Sequence, residues 1–332
     1  MYGHSRLALT LSLCVGVLGC GSSATVNAVT APSVARLAHW SAFAHVNRPL
    51  DLAGPRSDGS IVLAAAGRLW LLAATGIATP FASAYRSPGG EEPYIAVAGR
   101  GCFGSGTVYA LKLSKPHGVL AITRAGRVRR FALLSASGLE DGIAFDQAGR
   151  FGHRLLVTIN AGSRTTVAAI ACDGAVTTIT SNAPRLEGGI AVAPRTFGRF
   201  GGYLIAPDET GGRIFAITPG GGTMLVARSG LPHGPDVGVE SETFLPSARR
   251  FSALLADRLT PGNPHPGDDL VLRLSAATLR AVGVRGGDLL VATEGGARTD
   301  AISCGARVCR VRHVADGPAV AHAEGHIGVV VS

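Results

Sequence analysis

Five glutamates recur in one frame, each three residues before an apolar position: Glu92 before Ile95, Glu140 before Ile143, Glu187 before Ile190, Glu242 before Leu245 and Glu324 before Ile327. More oxygen donors follow at a second recurring place, namely Asn160, Asp208, Glu209, Asp257 and Glu294. Carboxylate and amide oxygens gathered at one point are the donor set of a hard cation, Ca²⁺ or another divalent ion. Without a cation, crowded carboxylates repel one another, and some must take up protons. A residue repeated in nearly every copy of a frame equally suits a structural duty, accepting backbone N–H bonds between repeats. Both readings stand at this level. His233 and Asp236, in Pro-His-Gly-Pro-Asp, add a candidate general base or ligand, although a histidine beside prolines also fits a merely exposed loop.

Other chemistry is excluded or unmarked. Gly-x-Ser-x-Gly and His-Glu-x-x-His do not occur, which removes the commonest hydrolase and metalloprotease signatures. Residues 99–104 satisfy Gly-x-Gly-x-x-Gly, but a strand pattern follows where a phosphate-binding motif needs a helix N-terminus. The charge of +9 comes almost wholly from scattered arginines, and no basic run is interleaved with aromatics, so nucleic acid is not an expected partner.

The elements that position the oxygen donors are short strands. Three landmarks repeat at about 48 residues: the glutamate, a phenylalanine with a small residue (Phe103-Gly104, Phe151-Gly152, Phe200-Gly201, Phe251-Ser252), and Ala-Ile at 121, 169, 216 and 301. Runs rich in Val, Ile and Leu alternate with turns among the chain's 46 glycines, and no amphipathic helix is evident. This period is that of a four-stranded propeller blade. The expected fold is therefore an all-β β-propeller of six four-stranded blades closed by the C-terminal strand, which would complete the N-terminal blade. Residues 257–284, with Pro-Gly-Asn-Pro-His-Pro-Gly inside, read as an inserted loop, and five or seven blades also fit. In such a ring the recurring glutamates enter the innermost strands and surround the top of the central channel. The four later cysteines fall on the bottom face.

The N-terminus carries an address. Arg6, an apolar run over 7–18 and then Val-Leu-Gly-Cys20 resemble a bacterial lipoprotein signal, which implies cleavage before Cys20 and lipidation of its sulfur. The expected domains are a signal peptide over 1–19, a lipidated tether over 20–57 and the propeller over 58–332. Cys304 and Cys309 flank a plausible hairpin turn, so the disulfides Cys304–Cys309 and Cys102–Cys172 are favoured, with free buried thiols as the alternative. No zinc spacing is present.

The Glu-x-Gly-Ile-Ala strand start and the Gly-Arg-Ile-Phe-Ala-Ile-Thr-Pro-Gly-Gly hairpin resemble extracellular propellers of the NHL and SMP-30/gluconolactonase-like kind, over roughly 58–332. The resemblance to lactonases implies a divalent metal held by a glutamate, an asparagine and aspartates. Glu140 or Glu187, Asn160 and Asp208 match those types, and a second asparagine-aspartate pair is missing. The candidate metal or ligand residues are thus Glu92, Glu140, Asn160, Glu187, Asp208, Glu242 and Glu294. The expected protein is a monomeric, lipid-anchored binding module of the cell envelope, facing a glycan, small molecule or protein partner. The alternative is a metal-dependent lactonase. A quinone-type sugar dehydrogenase, the third option on this architecture, has no mark in the sequence.

Overall fold

The computed structural model describes residues 37–331, except 88, 90, 91 and 100. The expected signal peptide, Cys20 and the first part of the tether lie outside the described residues. Six sheets, antiparallel except for one short parallel edge strand, form the ring of a propeller. The propeller takes in the chain from Ala38, ahead of the boundary expected at 58, because Ala38–His39, Ser41–His45 and Pro49–Ala53 are all strands within its sheets.

Blades 1 to 4 are simple meanders. Blade 1 runs Pro49–Ala53, Ile61–Ala65, Arg68–Leu72 and Ala78–Phe81, and blade 2 runs Ile95–Val97, Val108–Lys112, Gly118–Ile122 and Val128–Leu133. Blade 3 runs Leu139–Phe145, Leu155–Ala161, Arg164–Ile170 and Val176–Pro184, and blade 4 runs Ala191–Val192, Leu204–Asp208, Arg213–Ile217 and Thr223–Arg228. Inner strands such as Ile61–Ala65 are buried along their whole length, since neighbouring blades cover both faces. That is why they read as continuous apolar runs. Outermost strands expose alternate side chains.

One turn recurs after the third strand of a blade. In blades 1 to 4 it is closed by Gly76, Gly126, Gly174 and Gly221, with φ of 87°, 80°, 90° and 84°. Each donates its N–H three residues back, to the carbonyls of Ala73, Thr123, Ala171 and Thr218. A side chain at any of them would be strained by φ and would also meet the preceding blade. A Cβ would stand 3.0 Å from the Phe43 carbonyl oxygen at Gly76 and 2.5 Å from that of Ile179 at Gly221. These glycines let successive blades nest.

Blades 5 and 6 exchange strands. After the innermost strand of blade 5, Val239–Phe244, the chain crosses to blade 6 for Phe251–Asp257 and Leu270–Ser275. A short helix, Ala276–Ala281, is capped by the Ser275 hydroxyl, which accepts the Thr278 N–H at 3.0 Å. The chain then returns to blade 5 for Leu289–Thr293, Thr299–Cys304 and Cys309–Asp316. It ends as Ala323–Val331, the innermost strand of blade 6, whose outermost strand is Ser41–His45. Ala38–His39 runs parallel along the outer edge of blade 5. Both termini therefore close the ring.

Three sequence expectations change accordingly. The C-terminal strand completes the blade of Phe251–Asp257, and Leu69–Phe81 belong to a blade with its own innermost strand at Pro49–Ala53. The blade of Leu289–Thr293, Thr299–Cys304 and Cys309–Asp316, for which the sequence offers no innermost strand of its own, receives Val239–Phe244. The segment read as a loop over 257–284 holds a strand and the helix. The disulfides Cys102–Cys172 and Cys304–Cys309 are both present, at the bottom ends of blades 2 and 3 and of blade 5. Such bonds form in oxidising surroundings, which places the fold outside the cytoplasm. Among the described residues no helix is long and apolar enough to cross a membrane.

Candidate functional site: the acidic channel mouth

Innermost strands enter the ring with an irregularity that turns side chains toward the channel. In blade 3 the pairing skips between Glu140 and Gly142, and in blade 5 it skips between Val239 and Ser241. The unpaired residues, Asp141 and Glu240, are re-aimed as a bulge does. They join Glu92, Glu187, Glu209, Glu294 and Glu324 at the mouth. Gly188, with φ of 77°, gives Glu240 its room, because a Cβ there would overlap the Glu240 side chain.

Glu324 sits at the centre of this group. His322 Nε2 lies 3.0 Å from Glu324 Oε1 and 3.2 Å from Glu294 Oε1. Arg258 Nη1 reaches the same Glu324 oxygen at 3.2 Å. The Tyr94 hydroxyl stands 2.6 Å from Glu240 Oε1 and 3.3 Å from Glu324 Oε2. Two sets of donor atoms, Glu92–Glu240–Glu324 and Glu294–His322–Glu324, each fall within 4.8 Å of one another. Ligand oxygens on opposite sides of a divalent ion at about 2.4 Å are separated by about that distance, so neither set is too widely spread to share an ion.

The electrostatics are those of crowded, dry carboxylates. Burial, followed by the neighbouring Glu324, pushes Glu92 up to about 8. The same causes, with Glu209 adding, push Glu294 up to about 9. Glu209 rises to about 7 through burial and the Glu187 charge. Glu240 and Asp141 also lie well above the ordinary carboxylate range, again through burial first and neighbouring glutamates second. Arg185 pairs with Glu187, with Nε 2.7 Å from Oε2 and Nη2 2.5 Å from Oε1, and its charge only partly offsets the rise of Asp141 and Glu209. At neutral pH the mouth must hold protons or a cation.

Of the residues singled out by sequence, Glu92, Glu187 and Glu294 are at the mouth. Asn160 stands behind it, donating to Asp141 and to the Leu186 carbonyl at 2.6 Å, so it positions Asp141. Glu140 turns aside to His117, whose Nδ1 is 2.7 Å from Oε2. Asp208 is taken by Arg213 at 2.7 Å and by the Gly211 N–H at 3.0 Å, closing its own hairpin. Asp257 accepts the His322 N–H at 2.9 Å. His233 and Asp236 are exposed on their loop and outside the central group. Asp141, Tyr94, Glu240 and His322 escaped sequence reasoning. For Glu240 a signal existed in Val-Glu-Ser-Glu, but the glutamate frame of the sequence places Glu242 three residues out of register. Glu242 pairs with Val291 as Ile143 pairs with Val157, so the true counterpart of Glu140 is Val239 and Glu242 lies deeper.

One step down, Asp51 ties three blades together. Its Oδ1 accepts the N–H groups of Leu52 and His326 at 2.8 and 2.7 Å, and its Oδ2 accepts that of Ile95 at 2.6 Å. His326 Nδ1 is 2.9 Å from the same Oδ1. Burial opposes the charged ring, but Asp51 and the facing carbonyls of Ile143 and Ile190 outweigh it and raise the His326 pKa.

The chain matches no family model and no curated protein. Among solved structures it is similar to virginiamycin B lyase from Staphylococcus aureus, at 13% identity, over 81% of this chain and 85% of that one, with a TM-score of 0.45. It is also similar to a gluconolactonase from Xanthomonas campestris, at 18% identity, over 66% and 69% of the two chains, with a TM-score of 0.40. A protein from Lactobacillus plantarum is 12% identical over 86% and 88%, with a TM-score of 0.44. These are likenesses of propeller shape.

Proposed function

We propose that the channel mouth holds a divalent cation and that the protein is an exported binding module whose ligand meets this mouth. The observation that carries the reading is Glu324, which belongs to both groups of closely facing donors. Glu92, Glu240 and Glu324 offer the oxygens suited to Ca²⁺, and His322 widens the choice to borderline ions. A cation there would draw an oxygen-rich partner, such as an envelope glycan or a small carboxylate. Lipid on Cys20 would hold the module at the membrane, and the chain would work as a monomer.

Elemental analysis of the protein purified without chelator tests this. About one equivalent of a divalent ion is expected in the native chain, and none in the Glu240→Gln, Glu324→Gln double variant. A metal-free native protein that gains no stability from Ca²⁺, Mn²⁺ or Zn²⁺ sinks the reading.

A second reading, a metal-dependent lactonase, is favoured by Glu209, which stands outside both donor sets. Its carboxyl, at about 7, can exchange protons near neutrality. The metal in such a site polarises the substrate carbonyl. Turnover of a lactone panel by the metal-loaded protein, lost in Glu209→Gln, distinguishes catalysis from binding.

A further inference from the structure

Below the acidic mouth, beginning at His326, the channel holds a chamber of about 330 Å³ that reaches the bottom face, where Phe145, Gln147 and Phe244 are partly exposed. One layer of side chains sets its upper wall. Leu52-Ala53, Ile95-Ala96, Ile143-Ala144, Ile190-Ala191 and Ile327-Gly328 put an aliphatic residue followed by a small one at the same level of five blades. Blade 5 puts Glu242-Thr243 there. Glu242 is 1% exposed, and neither of its oxygens has a hydrogen bond of ordinary geometry among the described residues; the Ala191 N–H is the one backbone donor that favours its charge, and burial outweighs it. An unpartnered buried carboxylate is costly, and an aliphatic side chain serves this level everywhere else in the ring. Its presence calls for something that occupies the chamber.

We propose that Glu242 is the counter-ion of a small organic ammonium ligand, an alkyl- or aralkylamine, whose apolar body fills the chamber. Glu242 is the one acidic side chain of the wall; Gln147, Thr243 and, at the top, His326 are its other polar side chains, and the rest of the lining is mostly aliphatic and aromatic, which matches a single ammonium on an apolar body. A hard metal ion takes six to eight oxygens. An ammonium has three N–H donors. Glu242 supplies two acceptor oxygens, and the channel-facing edges of the innermost strands pair with no other strand, which leaves backbone carbonyls for the rest. Phe145 and Phe244 at the lower rim present aromatic rings to an entering cation. The volume is at the small end for ligand pockets.

The test is calorimetric titration of the full chain with benzylamine and with benzyl alcohol, which share a shape and differ in charge. The native protein is expected to bind the amine at least about tenfold more tightly than the alcohol, the range of a charge-assisted hydrogen bond over a neutral one. Glu242→Gln and Glu242→Ile are expected to lose that preference while melting no lower than the native protein. Glu240→Gln, which alters only the mouth, is expected to keep it. Failure of the amine to bind, equal binding of the alcohol, or survival of the preference in Glu242→Gln overturns the proposal. So does loss of the preference in Glu240→Gln, which would move the amine to the mouth. Metal content at the mouth is read separately, so the two sites succeed or fail independently.

Discussion

The Tyr94 hydroxyl lies 2.6 Å from Glu240 Oε1, joining residues 146 positions apart and from two blades that are not neighbours in the ring. Tyr94 is fully buried, and Glu240 nearly so. This bond crosses the channel mouth and sets where the Glu240 oxygens point. Tyr94→Phe should cost about 1–3 kcal/mol in chemical denaturation, because a buried acceptor loses its donor. The same variant should weaken binding of a divalent ion, since Glu240 would be less well oriented. Unchanged stability and unchanged metal affinity would show that the contact is incidental.

The mouth predicts an unusual pH response. Glu92 and Glu294 rise from an ordinary 4.5 to about 8 and about 9 on folding. Above about 4.5 the unfolded chain has released these protons while the folded chain still binds them. Their contribution to stability is therefore complete below about 4.5 and is lost as pH climbs through 8 and 9. Metal-free protein should melt at progressively lower temperature from mildly acidic to mildly alkaline pH. Saturating divalent ion should flatten or reverse that slope, because ligated carboxylates are ionised. A melting temperature that rises with pH in the metal-free protein would contradict the proton-filled mouth.

The two disulfides should contribute unequally. Cys102–Cys172 closes a sequence separation of 70 between blades 2 and 3, whereas Cys304–Cys309 closes a separation of 5 across one hairpin. Chain entropy in the unfolded state makes the long bridge worth more, about 2–4 kcal/mol. Replacing Cys102 and Cys172 by alanine should lower denaturation stability by that amount. Replacing Cys304 and Cys309 should lower it less. Equal losses would mean that native packing, not loop length, sets the difference.

Much of this molecule can be read from its sequence because the information is local. The 48-residue period, the Gly turns at 126, 174 and 221, and the apolar strand starts at Ile95, Ile143 and Ile190 each arise from contacts within one blade or with the next. They suffice for a propeller, with six blades expected and five or seven also fitting, and for acidic residues at one mouth. The pairing of Cys304 with Cys309 is equally local, across a hairpin.

What tertiary structure decided is pairing and depth. Phe251–Asp257 and Leu289–Thr293 are both apolar second strands, and nothing local says which one pairs with Val239–Phe244. The strand exchange between blades 5 and 6 is settled only when the ring closes with both termini. A side-chain period of two makes register decisive, so a small misreading of frame moved Glu242 to the mouth and hid Glu240. Bulges at Asp141 and Glu240, invisible as spacing, selected which carboxylates of these strands enter the mouth. Composition and repeat thus determined that acidic groups would gather at the channel. Backbone pairing between distant segments determined which of them face one another, and which one lies alone below.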